Sequence, residues 1–397
     1  MDPVRNPYAP GAGQRPPELA GRDRELEAFD VVLERVARGR PERSLVLTGL
    51  RGVGKTVLLN ALRSAAVRRG WGTGKLEARP DVPLRRPLAA ALHLAVRELS
   101  GRNREEADDV LGVVKAFALR SGDPGGRLRD RWQPGIDVPA ATGRADSGDI
   151  EIDLVELFTD VAGLAAAAGK GVAVCVDEMQ DLMPDDVSAL CAACHELSQQ
   201  GLPLIVVGAG LPHVPAVLSA SKSYSERLFR YLRIDRLARE EADRALRTPA
   251  KEEGADFTDE ALAALYEATD GYPYFVQAYG KAVWDVAPAS PVSDADVVVA
   301  APQAEAELAV GFFGSRYERA TPAEREYMRA MADLGLENGD AAVATSAVAH
   351  ALGRKPQSLS PARDALLKKG LVYSAERGQI AFTVPHFGRY LRAHASD

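Results

Sequence analysis

Gly49-Leu50-Arg51-Gly52-Val53-Gly54-Lys55-Thr56 is a run whose residue types and spacing can hold a row of phosphates. It fits the pattern G-x-x-x-x-G-K-[ST] without a mismatch. Gly49, Gly52 and Gly54 let the backbone curl so that its N–H groups face phosphate oxygens. Lys55 can neutralise charge on the outer phosphates, and Thr56 can offer a hydroxyl to magnesium. Val53 and, one residue past the octet, Val57 complete this nucleotide-binding stretch.

A second constellation stands at Asp177-Glu178, where the apolar run Val172–Val176 ends in two carboxylates. Beside a phosphate loop, an aspartate at such a strand end holds magnesium, directly or through water, so Thr56 and Asp177 form the expected metal pair. Glu178 can orient a water for attack on the terminal phosphate, which makes Glu178 and Lys55 candidate catalytic residues. A protein that only stores nucleotide has no need of Glu178. Leu202–Gly210 reads as the next central strand. Its end, Gly208-Ala209-Gly210, carries no polar side chain.

These groups need a scaffold to position them. Ser44–Thr48 is a short apolar run before the octet, and Val57–Leu62 reads as the start of a helix after it. The helix adds its positive end to the phosphate site. Helical spacing runs to about Ala37 and recurs at 87–99, 105–119, 154–168 and 185–200, between the strand-like runs 172–176 and 204–207. Strands alternating with helices predict a parallel sheet covered on both faces. After about Leu237 the strand signals stop, and 239–247, 258–269 and 274–286 read as helices. A third module is expected from about Gly311. It opens on the helix start Thr321-Pro322-Ala323-Glu324 and continues with helices at 343–352 and 360–369, the last capped by Ser360. Strand-like runs at 371–374 and 380–383 follow, which is the order of a winged helix-turn-helix.

The expected map is a loose Pro- and Gly-rich arm at 1–18 and an α/β nucleotide-binding core at 19–237 with an irregular insertion at 121–149. A helical lid at 238–310 and a winged helix-turn-helix at 311–397 complete it. The 397 residues suffice for several cores, and the net charge of −7 excludes general adhesion to nucleic acid. No run of about 18 apolar residues suggests a membrane span. The first residues lack the apolar stretch of a secretory signal. Cys175, Cys191 and Cys194 cannot all pair. A cytoplasmic, reduced setting is expected.

The order of motifs resembles the AAA+ class of P-loop ATPases (the ASCE type). It looks closest to the bacterial branch similar to both origin-recognition initiators and STAND signalling ATPases. Gly21-Arg22-Asp23-Arg24-Glu25 resembles the G-R-x-x-E opening, Asp177-Glu178-Met179-Gln180 the D-E-x-Q magnesium strand, and Gly271-Tyr272-Pro273 the G-x-P of a lid helix. The resemblance implies that Gly21 and Arg22 pack against adenine and that Tyr272 and Pro273 lie near the base and phosphates. It also implies that the nucleotide is ATP. Two features depart from the class: 274–281 has no lid arginine, and the 207–210 strand end has no polar sensor. Both favour slow, switch-like turnover. An arginine finger supplied across a nucleotide-dependent homo-oligomer would come from 223–230, with Arg227 ranked above Arg230; the plainer alternative is a solvated helix face.

Cys191-Ala192-Ala193-Cys194-His195 matches a c-type haem pattern but lies in a helix between core strands, where packing of small residues is expected. Between His350 and Arg392 stand eight lysines and arginines against two acids, a local charge of +6 that leaves −13 elsewhere. That contrast suggests a face for double-stranded DNA, with Arg363, Lys368 and Lys369 on the third helix as candidate contacts. Packing of the module against an acidic core explains the charge equally well. The expected function is an ATP-binding, slowly hydrolysing switch with ATP, ADP and an unidentified protein as partners. The alternative is a DNA-binding regulator or initiator-like protein that keeps nucleotide as a structural ligand.

Overall fold

Five short runs become one parallel sheet: β1 (Ser44–Thr48), β2 (Gly72–Glu77), β3 (Val172–Asp177), β4 (Leu204–Gly210) and β5 (Phe229–Arg233). Their order is β2-β3-β4-β1-β5, and every neighbouring pair is parallel. The computed structural model describes residues 1–101, 104–120, 135–336 and 342–394. The chain divides into two units. Asp23–Thr48 with Leu58–Arg233 makes the sheet unit, and Met1–Arg22, Gly49–Val57 and Ile234–Asp397 make the other.

In the sheet unit β1, β3 and β4 are buried along their whole length, as strands covered on both faces must be. Around them stand α1 (Asp23–Ala37), α2 (Lys55–Arg68, which begins inside the phosphate loop), α3 (Arg85–Leu99), α4 (Arg104–Leu119), α5 (Ile150–Ala167), α6 (Pro184–Gln200), α7 (Val214–Ser221) and α8 (Ser225–Leu228). Val46, Val172, Val174, Val176, Leu204 and Val206 alternate along their strands into one core with the apolar faces of α3 to α6.

Sequence patterning misses β2 and β5. β2 carries two glycines, which weaken its strand signal. Those glycines admit α3: a Cβ on Gly72 would stand 2.7 Å from Ala95 O, and one on Gly74 2.7 Å from Ala91 O. β5 is the arginine-bearing edge strand beside β1, so Arg230 lies on a strand and not on a helix face. The segment before residue 135 in the expected insertion lies outside the described residues. From 135 onward the chain is clipped down, with Lys115 Nζ donating to Ile136 O (2.9 Å) and Val138 O (2.8 Å), and Ala141 N donating to Gly112 O (2.9 Å).

The other unit holds α9 (Arg239–Glu252), α10 (Asp259–Thr269), α11 (Pro273–Val286) and α12 (Asp294–Leu308), the helices over the range expected as a lid. α12 runs through a π-turn, Ala309–Gly314, into α13 (Ser315–Tyr317), so the module boundary expected at Gly311 falls inside one helical run. By length and composition this run, Asp294–Tyr317, could cross a bilayer. Val297, Ala300, Ala304 and Leu308 nevertheless form a buried stripe in the lid core. Then come α14 (Pro322–Leu334), β6 (Val343–Ala344), α15 (Thr345–Ala351), α16 (Pro356–Lys368), β7 (Val372–Ser374), β8 (Gln379–Phe382) and α17 (Phe387–Ala393). The small sheet is antiparallel in the order β6-β8-β7. Thr321 and Glu324 close the capping box at the start of α14. α16 starts at Pro356, so Ser360 is an interior residue and not the cap; Pro356 takes the first-turn place that suits a residue without an N–H.

The arm at 1–18 is not loose. Tyr8 is 4 % exposed, and arm residues bond to the lid along their course. Its composition hides this because the anchors are single residues between prolines and glycines.

Candidate functional site

Within the phosphate loop the three glycines do different work. Gly52 (φ +84°) and Gly54 (φ +90°) take the left-handed backbone that turns the loop. Gly49 does not; it is required because a Cβ there would overlap Ile234 O. A Cβ built on Gly54 meets nothing within 4 Å, so the curl leaves open space on that side. Lys55, 9 % exposed, donates to Gly49 O (2.9 Å) and Leu50 O (2.8 Å) across the mouth of its own loop. An open, amide-lined curl with a lysine and the Thr56 hydroxyl at its end suits a polyphosphate with a metal ion.

Three braces hold the loop inside its unit. Arg22, buried, donates through Nη2 to Val53 O (3.2 Å) and Asp235 O (2.6 Å) and through Nη1 to Gly21 O (3.1 Å). Its guanidinium therefore fixes the backbone of the loop. The start of α11 supplies the second brace: Pro273 is its first residue, and the N–H of Tyr274 donates to Gly52 O (3.2 Å). Just before it, Tyr272 lies half-buried against Phe275 and His386, with burial and nearby Asp270 pushing its phenol up to about 12. The third brace comes from the C-terminal segment, where the N–H of Arg51 donates to Thr383 O (2.9 Å). Thr383 is fully buried, its hydroxyl donating to Gly370 O (2.7 Å). Phe312 stacks on Tyr274 with centroids 4.7 Å apart and planes 22° apart. Nothing in the loop's motif signals the Arg51–Thr383 bond, because Thr383 lies over 300 residues away and contributes only backbone.

In the sheet unit, Asp177 ends β3 at the same C-terminal edge where β1 ends at Thr48, with β4 between them. Ligand sites of open α/β sheets gather along this edge. Asp177 is buried, and its Oδ1 accepts the N–H of Glu178 (3.0 Å). Glu178 takes a left-handed backbone (φ +52°), and its carboxylate accepts the side-chain amide of Gln180. The carbonyl of that same amide accepts the N–H of Leu211 (3.0 Å). Gln180 thus joins the acidic tip of β3 to the end of β4; the D-E-x-Q spelling was its only signal in the sequence.

The missing polar residue at the β4 end has a steric cause. A Cβ on Gly208 would overlap Met179 Sδ, and one on Gly210 would stand 2.6 Å from Val214 Cγ2 and 2.8 Å from Gln180 Oε1. Arg227 lies exposed on α8 and Arg230 exposed on β5. Cys191 and Cys194 are buried in α6, and burial pushes their thiols up to about 11 and about 12.

Just past the end of α16, Lys369 Nζ bonds Glu324 Oε2 (2.6 Å) and Arg319 O (2.9 Å), and within the helix Arg363 pairs with its neighbour Asp364 (2.9 Å). Lys368 is exposed. Lys369 and Arg363 are thus engaged with carboxylates of their own module.

Residues 18–207 match a family described as AAA ATPase domain, and residues 310–391 match a domain of unknown function, DUF8462. No curated protein matches. Among solved structures, the Walker-type ATPase paby2304 of Pyrococcus abyssi is similar over 95 % of this chain and 97 % of that one, at 16 % identity and a TM-score of 0.58. The RuvB Holliday junction branch migration motor of Thermotoga maritima aligns over 93 % of this chain and 96 % of its own at 17 % identity and a TM-score of 0.46. Aeropyrum pernix ORC1, solved in complex with DNA, aligns over 96 % and 94 % at 15 % identity and a TM-score of 0.45.

Proposed function

We propose that the chain, whose residues 18–207 match the AAA ATPase domain family, is an ATP-binding, slowly hydrolysing switch of the AAA+ P-loop kind whose C-terminal module answers to the bound nucleotide. The observation that carries this is the bond from Arg51 N to Thr383 O, one of the loop's own backbone donors given to the C-terminal module. The Tyr274–Phe312 stack adds a second tie between lid and module. A change in the loop's curl therefore strains the hold on the module, and a freed module loosens the loop.

In this reading the amides of 52–57 and the Lys55 ammonium hold the phosphates. Thr56 and Asp177 hold magnesium, and Glu178, set by Gln180, orients water as a general base. Bound magnesium would offset phosphate charge. Gly21, Tyr272 and Pro273 serve the base side, with Arg22 bracing the loop beneath. Slow turnover follows from the glycine strand end at 208–210 and the lid helix without an arginine. Arg227 is the residue to act on a neighbouring copy, which requires assembly; nucleotide-dependent mass in solution tests that requirement.

Hydrogen exchange compares the two nucleotide states directly. Amides of 371–384 should exchange faster with a non-hydrolysable ATP analogue than with ADP. Equal protection in both states removes the switch. The engagement of Lys369 and Arg363 inside the module favours this reading over DNA binding. The +6 charge of 350–392 is the observation on the side of the DNA-binding regulator. If that alternative holds, duplex binding persists without turnover and weakens steeply with salt.

A further inference from the structure

We propose that the N-terminal arm is a strap, fastened along the lid and ending at the phosphate loop, that sets how fast nucleotide leaves; this rests on the nucleotide reading above. The arm follows one face of α11 toward the start of that helix. Trp284 Nε1 donates to Asp2 O (2.8 Å). Asn6 Nδ2 donates to Asp285 Oδ1 (2.7 Å) and Lys281 O (3.0 Å), and Ala9 N donates to Gln277 Oε1 (3.3 Å). Positions 285, 281 and 277 are successive turns of the helix, met in reverse order as the arm advances. The next contact is the loop itself. Gly13, with φ +69°, lies so close to Thr56 that a Cβ on it would stand 3.1 Å from Thr56 Cγ2.

The buckle is Tyr8. Its hydroxyl donates to Leu246 O on α9 (2.5 Å), and its ring meets Phe257 and Trp284 edge-on. α11 makes room for the ring with a glycine: a Cβ on Gly280 would stand 3.0 Å from Tyr8 Cδ1. A glycine inside a helix weakens it relative to alanine, and here the ring of the arm occupies the space that it leaves. Arg5 and Glu18 add exposed ion pairs to Glu253 (2.9 Å) and Arg244 (3.1 Å) on either side of the buckle. Gly13 comes up on the methyl side of Thr56, the residue that ends the loop, so a nucleotide held by the loop has the arm close on that side. Its escape past that side requires the arm to lift, and the arm lifts only when Tyr8 leaves its notch.

The test is the release rate of mant-ADP from the full chain, chased with unlabelled ADP. Tyr8→Ala should speed release roughly tenfold or more, because a buried aromatic anchor is lost. Tyr8→Phe, which keeps the ring in the notch, should stay within about threefold of the parent. Gln277→Ala frees only Ala9 and should move the rate the same way by a smaller factor, which decides the matter if Tyr8→Ala folds poorly. A parent that holds mant-ADP, with both alanine variants releasing it at the parent's rate, overturns the strap alone. A parent that holds no mant-ADP overturns the nucleotide reading and the strap with it.

Discussion

The side-chain carbonyl of Gln180 accepts the backbone N–H of Leu211 at 3.0 Å, which makes the orientation of Glu178 depend on the end of a neighbouring strand. The amide nitrogen of the same side chain donates to the Glu178 carboxylate. A carboxylate that must direct a water needs one orientation, and a free glutamate on a turn has several. Gln180→Ala should therefore lower ATP turnover about tenfold, part of the 10²–10⁴ that a placed general base contributes. Affinity for ATP should stay within about twofold, since Gln180 holds the proposed base, Glu178, and not the phosphate loop. Glu178→Gln should remove turnover with binding kept. Equal turnover in Gln180→Ala and parent would show that the bridge is structural only.

Gly210 tests the same bridge from the other side. A Cβ there would press on Gln180 Oε1 and Val214 Cγ2. Putting a polar residue where related ATPases carry one should thus fail to restore a sensor. Gly210→Ser is expected to push Gln180 off Leu211 and reproduce the loss expected of Gln180→Ala. A faster enzyme in that assay would mean the strand end is simply vacant of its sensor.

Much of this was readable from residues alone. The octet 49–56, the acidic end of β3 and the Thr321 capping box announce themselves through local chemistry with few alternatives. What stayed hidden depends on partners distant in sequence. β2 reads as no strand because Gly72 and Gly74 are chosen for α3 passing overhead. Arg22 carries a family expectation about the base, but its guanidinium rests on two carbonyls, Val53 O and Asp235 O, that nothing local announces. The arm has the composition of a tail, and only the Gly280 notch explains Tyr8.

Lys55→Ala should abolish ATP binding and also lower the stability of the nucleotide-free chain. The ammonium holds Gly49 O and Leu50 O, and each such bond is worth about 1 kcal/mol. A thermal shift of a few degrees downward without nucleotide, together with no upward shift on adding ATP, is the expected pair of results. Retained ATP-dependent stabilisation would remove the loop from the site.

The buried pair of Arg85 and Asp153 (2.6 Å) fixes the turn at 147–149 over α3 and sets an acid limit. Burial pushes the Asp153 carboxyl up, but bonds from Ser147 and Arg85 outweigh it and hold the group below its ordinary value. The folded pKa lies below the unfolded one. Its stabilisation is therefore complete above about pH 4 and fades as pH falls through the folded value. Asp153→Asn should cost about 3–5 kcal/mol at neutral pH by leaving Arg85 buried without its counter-charge. The same variant should flatten the acid limb of a denaturation profile. An unchanged acid limb would assign the acid sensitivity elsewhere.

Lys368 and Lys369 are adjacent in sequence yet should behave oppositely. Lys369 reaches back to Glu324, whose side chain is 5 % exposed, and to Arg319 O. Burial opposes the charge on Glu324, but the bonds from Lys369 and Thr321 hold its carboxyl below the usual range. Removing the ammonium leaves that charge in a poor environment with the Thr321 amide still attached. Lys369→Met should cost about 2 kcal/mol of stability. Lys368 is exposed, and Lys368→Glu should fall within about 0.5 kcal/mol of the parent. Chemical denaturation of both variants measures the contrast. Equal stability in the two would mean that Lys369 is an ordinary surface lysine, available for a nucleic-acid partner after all.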